Sequence, residues 1–127
     1  MVNGGIPTNC NRGMRAASGK YIKPIAGDDA LFLSCLSNNV MYILERPEID
    51  ILLSQMEIFE TKFQEDCSLG NWQSDALADF FPDKISANEQ YKMLLMNDRV
   101  GNTPTVFLRA RIFGKIGYYD EAFPWIE

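Results

Sequence analysis

The residues able to do chemistry in this chain gather at three places. Asp28 and Asp29 stand side by side after a short, partly apolar run, Tyr21 to Ala26. Adjacent carboxylates at the carboxyl end of a strand lie where open α/β sheets place their ligands. They supply hard oxygen donors suited to Mg²⁺ or Mn²⁺, and to a diphosphate that such an ion bridges. The same pair also suits a plain helix entry, where Asp caps the first turn and meets the helix dipole. The second place is Asn11-Arg12-Gly13, with Arg15 close behind. An arginine near a helix can hold phosphate through paired N–H donors, and equally can be a solvated side chain. The third is the aromatic, acidic tail from Tyr118 to Glu127, including Trp125. Its flat apolar faces suit a sugar or a base, or ordinary core.

The composition removes several classes of function. The chain has 127 residues and no histidine, so Ser–His–Asp and Cys–His catalysis, His-bearing zinc sites and an imidazole pH switch are excluded. Seventeen acidic residues against twelve basic ones give a net charge of −5, with no basic tract to follow a nucleic-acid backbone. Cys10, Cys35 and Cys67 are odd in number, widely spaced and form no Cys-x-x-Cys pair, so they read as buried thiols in a reducing compartment. No run reaches the roughly 20 apolar residues of a membrane span. The opening Met-Val-Asn-Gly-Gly is too polar for a signal peptide, which makes a cytoplasmic or membrane-peripheral location the expectation. A hydrophobic content of 46% suffices for one domain over residues 1–127.

The elements that must position these residues follow from periodicity. Asn11 to Ser18 is a helix-compatible run inside an Asn-, Gly- and Ser-rich opening. Tyr21 to Ala26 reads as a strand, one side of it unpaired or bulged at Pro24. Leu36, Val40, Ile43 and Leu44 recur at helical spacing, with Ser34 as N-cap and Pro47 as the stop. A second strand runs from Ile49 toward Phe59. Strand, acidic turn, helix and strand make a βαβ unit, which predicts a parallel sheet with a right-handed crossover. A polar loop spans Thr61 to Gln73, and a short helix Ser74 to Phe81. Ser86 to Glu89 is a capping box for a helix bearing Tyr91, Leu94 and Leu95, with Gly101 beyond its end. Thr105 to Leu108 is a strand, and Ala110 to Ile116 a short helix closed by Gly117.

Two stretches together resemble a family 2 glycosyltransferase. The first runs Asn3-Gly4-Gly5-Ile6, Asn11-Arg12-Gly13-Met14, Ala17, Gly19-Lys20-Tyr21-Ile22 and Gly27-Asp28-Asp29. The second runs Asn102 to Arg109, then Phe113, Gly117-Tyr118-Tyr119-Asp120-Glu121, Phe123 and Trp125-Ile126-Glu127. The resemblance implies a partial GT-A fold, a Rossmann-like α/β arrangement with a mixed, mainly parallel sheet and flanking helices. It implies metal-assisted, inverting transfer from a nucleoside-diphosphate sugar to an acceptor hydroxyl, with Mn²⁺ or Mg²⁺ as cofactor. Carried over, Asp28 and Asp29 fall at the metal motif, Asp28 with Asn11 and Arg12 on the substrate side. Glu127 falls at the catalytic Glu-Asp pair.

The chain also departs from the family pattern. Many members read Asp-x-Asp-Asp where this chain has Ala26-Gly27-Asp28-Asp29, and an Arg often stands at the position of Cys10. The resemblance covers a central fragment: the family's nucleotide-base unit precedes it and the base Asp follows Glu127. An isolated chain of this kind is expected to show no transfer. The strand Tyr21 to Ala26 would then be an uncovered edge, which predicts a homodimer. The alternatives are a non-catalytic, self-associating remnant and a small acidic interaction module.

Overall fold

The computed structural model describes residues 4–72, 85–96 and 103–123. The helix α1, Gly5–Ala16, begins earlier than the local pattern predicts. Pro7 fits its first turn, and Pro7, Asn11 and Met14 recur along one buried stripe. Ala17 then turns the chain to an extended conformation, its N–H bonding to the Gly13 carbonyl at 3.0 Å.

The strand β1 covers Tyr21–Ile22 alone, because Pro24 cannot continue a ladder. The helix α2, Cys35–Leu44, stands where periodicity puts it, and Pro47 lies beyond its end. Ser34 makes no side-chain cap, and the inward stripe differs from the predicted one. Asn39 and Ile43 are buried, whereas Leu36 and Leu44 are exposed. Asn39 takes an inward position because its amide has partners there: it accepts from Ser54 Oγ at 3.0 Å and donates to Cys35 Sγ at 3.6 Å.

The strand β2, Ile51–Leu53, and the strand β5, Val106–Arg109, complete the first sheet, with β3 and β4 between them in sequence. Its order is β1-β5-β2, and both contacts are antiparallel. Tyr21 pairs with Arg109, and Ile51 with Leu108. This corrects the expected mainly parallel sheet. The order strand, helix, strand is present, but β1 and β2 are not neighbours. They run the same way on either side of β5. That strand takes the centre because Phe107, Leu108 and Arg109 are all buried, whereas neither β1 nor β2 buries a residue fully.

The predicted strand toward Phe59 is interrupted by Ser54 and Gln55, and β3, Met56–Phe59, turns into a separate hairpin with β4, Ser68–Trp72. The strand β4 lies where a polar loop is expected. Its register shifts at Ile58/Phe59, and Gly70 takes φ +92°, a conformation glycine adopts readily at a bulge.

The helix α3, Ala87–Met96, starts at the predicted capping box. The Ser86 N–H donates to Glu89 Oε2 at 3.0 Å, and the Glu89 N–H returns a bond to Ser86 Oγ at 3.3 Å. After β5 a 3-10 turn, Ala110–Ile112, leads into α4, Phe113–Ile116, which Gly117 closes at φ +78°. Among the described residues the buried apolar side chains include Met14, Ile43, Phe107, Leu108 and Ile112, and Tyr21 stacks on Phe107 at 5.4 Å. The expected helix Ser74 to Phe81 and the residue Gly101 lie outside the described residues.

Candidate functional site

The acidic turn lies past β1, with Lys23 to Ala26 between Ile22 and the turn. Gly27 and Asp28 form the turn, with the Asp29 N–H 3.4 Å from the Ala26 carbonyl. Asp28 is exposed and Asp29 half-buried. Among the described residues, no hydrogen bond or ion pair engages either carboxylate. No group of three or more Asp, Glu, Cys or His side chains assembles there or elsewhere among them. Two carboxylates alone make a poor cage for a divalent ion. They do fit the Mg²⁺ or Mn²⁺ arrangement in which one or two carboxylates share the ion with substrate phosphates.

Asn11 and Arg12 are neighbours on α1 and point differently. Asn11 is completely buried. Its Nδ2 donates to the Tyr119 carbonyl at 2.9 Å and to Glu121 Oε1 at 2.8 Å, while its Oδ1 accepts the Tyr119 N–H at 3.0 Å. The amide is thus spent on the protein, holding the segment after Gly117 against α1. Thr8 Oγ1 donates to the other Glu121 oxygen at 3.1 Å, and Arg15 approaches Oε1 at 3.4 Å. These donors, Asn11 first, hold the Glu121 carboxyl below its ordinary range. The Arg15 guanidinium lies 4.8 Å from the Tyr118 ring centre, and Tyr118 stacks on Phe113 at 4.9 Å. Arg12 is exposed, with Asn9 Oδ1 at 3.5 Å. No hydrogen bond or ion pair among the described residues joins Arg12 or Asn11 to the acidic turn. Glu127 and Trp125 lie outside the described residues.

Beside the turn is a cavity of about 280 Å³. Asp29 to Leu33 form one wall, and Met56, Glu57 and Phe59 of β3 form another. Cys35, Ser54 and Pro104 also border it. Lys23, behind Pro104, donates its ammonium to the Pro104 carbonyl. Burial lowers its pKa, partly offset by the nearby Cys35 thiol.

The buried guanidinium of Arg109, which figures in the sequence only as part of the second resembling stretch and with no role assigned, organises the space beneath α2. Its Nε donates to the Ile49 carbonyl at 2.8 Å and its Nη2 to the Ile43 carbonyl at 2.5 Å, with the Arg46 carbonyl at 3.4 Å. Tyr21 Oη lies 3.5 Å from Nη1. A cation here adds a donor to carbonyls at and just beyond the end of α2 and meets the negative end of its dipole. The signal was an arginine closing an apolar strand, which pattern alone reads as a solvated end.

Comparison with protein-family models, curated proteins and solved structures gives no match. No helix among the described residues is long and apolar enough to cross a membrane.

Proposed function

We propose that the turn at Asp28 and Asp29 is the donor-binding end of a glycosyl-transfer site, taking a nucleoside-diphosphate sugar together with Mn²⁺ or Mg²⁺. The observation that carries this reading is the pair of adjacent carboxylates at the turn past β1, neither engaged by a described residue. Carboxylates kept for structure normally acquire partners, as Asp50 does with Arg111 and Lys115. A second feature supports it. The two stretches that resemble family 2 glycosyltransferases lie far apart in sequence, yet Asn11 binds Tyr119 and Glu121, and β1 pairs with β5.

On this reading Asp28 and Asp29 would hold the ion, which when bound would offset charge on the leaving group. Asn11 acts from a distance, by fixing the segment Tyr118 to Glu121. Arg12, exposed on α1, is available to a phosphate oxygen of a bound donor. The acceptor hydroxyl's base is expected near Glu127, by resemblance.

Calorimetric titration with UDP and then UDP-glucose, with and without Mn²⁺, tests the proposal on the native chain and on Asp28→Asn/Asp29→Asn. Binding that requires manganese and vanishes in the double variant is expected. Metal-independent binding, no binding, or binding indifferent to the double variant would refute it.

A second reading, a self-associating module without catalysis, is favoured by one observation. Leu33 is fully exposed, and Leu36 and Leu44 are 48% and 56% exposed on the outer side of α2. Light scattering at micromolar concentration separates the two readings. A dimer dissociated by Leu36→Glu/Leu44→Glu would favour the module, and a monomer would dismiss it.

A further inference from the structure

We infer that the cavity between Asp29–Leu33 and β3 binds a small organic cation with an apolar body. The inference rests on the make-up of the cavity wall and does not depend on the donor site. Three phenylalanines, Phe32, Phe59 and Phe63, line the cavity together with Leu31 and Met56. Phe59 and Phe63 meet edge to face at 5.6 Å. Among the described residues, the charged side chains in the lining are Asp29 and Glu57, both carboxylates.

Each component of this wall selects for the ligand. Aromatic rings attract a cation through their quadrupole as well as offering apolar contact. A neutral apolar guest would strip water from Asp29 and Glu57 and give nothing in return, which is unfavourable for a carboxylate. An anion would meet two like charges with no lysine or arginine among the described lining residues to offset them. Lys23, next to the lining residue Pro104, has its ammonium committed to the Pro104 carbonyl. Glu57 is held in place by the Ser68 hydroxyl, which donates to its Oε1 and leaves Oε2 without a partner among the described residues. The volume of about 280 Å³, at about 30 Å³ for each water-sized atom, accommodates a guest of about nine non-hydrogen atoms.

Three probes of nearly that size share one body and differ in charge: phenethylammonium, 2-phenylethanol and phenylacetate. Titration of the native chain in EDTA, without nucleotide, is followed by the NMR methyl signal of Met56, with Met14 as a remote control. The ammonium is expected to shift Met56 and to bind at least tenfold tighter than the alcohol, with phenylacetate not binding. Asp29→Asn and Glu57→Gln should each reduce that advantage, and the double variant should abolish it while keeping alcohol binding and the native methyl spectrum. Equal or tighter binding of the alcohol overturns the inference. So does binding of phenylacetate, a cation advantage that survives the double variant, or no response of Met56 to any probe. EDTA and the absence of nucleotide separate this outcome from that of the donor titration.

Discussion

Replacing Asn11 by Ala removes the clamp between α1 and the segment after Gly117, and its cost can be worked from the structure. Three hydrogen bonds are lost, at 2.8, 2.9 and 3.0 Å, from a side chain with no exposed surface. A net contribution of about 1 kcal/mol for each bond gives about 3 kcal/mol. The stranded Tyr119 N–H and carbonyl would raise this figure. Tyr118 and Tyr119 are about 42–43% exposed, however, so the loop can lift and regain water, which keeps the total near 3 kcal/mol. With a urea slope of about 1.5 kcal/mol/M for a chain of this size, the unfolding midpoint should fall by about 2 M. Asn11→Asp keeps the shape but sets a carboxylate against Glu121, so it should be at least as damaging at neutral pH and partly recover as acid protonates the pair. Urea unfolding of the two variants across pH is the assay. A loss below about 1 kcal/mol for Asn11→Ala, or no acid recovery for Asn11→Asp, would refute the clamp.

The remaining expectations concern other contacts. Asp50 is held below the ordinary carboxylate range, first by its hydrogen bond from Lys115 and then by Arg111, and Glu121 is depressed by Asn11. Both contribute stability that is complete above the unfolded carboxylate pKa, about 4, and is lost as pH falls through the lower folded value. Thermal melts from pH 7 to pH 2 should therefore show an acid limb that Asp50→Asn makes shallower. Arg109→Met removes the guanidinium bonds to the Ile43 and Ile49 carbonyls from a buried side chain and should cost about 3 kcal/mol in urea unfolding. Arg109→Lys should recover little of it, since one ammonium lacks the planar fork that reaches several carbonyls. Gly117 sits at φ +78°, ψ −165°, a region almost closed to other residues, and a Cβ there meets nothing within 4 Å. Gly117→Ala should cost about 1–3 kcal/mol from backbone strain alone, read as a lowered melting temperature.

The parts of this fold that were legible in sequence are those fixed by local chemistry. The capping box at Ser86 and Glu89 needs only four residues, and it forms as expected. Pro47 beyond α2 and Gly117 after α4 are likewise decided by their own backbone. What was illegible depends on partners far along the chain. The periodicity of Leu36, Val40, Ile43 and Leu44 points to an inward face, of which Ile43 is buried, while Asn39 takes a place there because Ser54 bonds to it. The order strand, helix, strand implied a parallel pair, and nothing local announces that Val106–Arg109 intervenes. The hairpin partner Ser68–Trp72 has too few apolar residues to show alternation, so it reads as loop. At the candidate site the residues suggested an acidic turn at the carboxyl end of a parallel strand Tyr21 to Ala26, whereas β1 is antiparallel and ends at Ile22, well before the turn at Gly27 and Asp28. Asn11 is different: its type was noticed, but its burial against Tyr119 and Glu121 is a tertiary fact.

The place of β5 between β1 and β2 also governs when the molecule can fold. Tyr21 and Arg109 touch across 88 residues, and β2 likewise has no sheet partner until β5 arrives. A chain emerging from the ribosome can therefore form α1 and α2 early, yet holds two unpaired strands until the last part of this sequence is made. Closing so long a loop before any strand contact is gained makes folding slow. During that interval the open strand edges and the apolar side of α2 are exposed together, the condition under which nascent chains aggregate or recruit chaperones. Yield in the cell should accordingly respond to changes in β5 more steeply than equilibrium stability does.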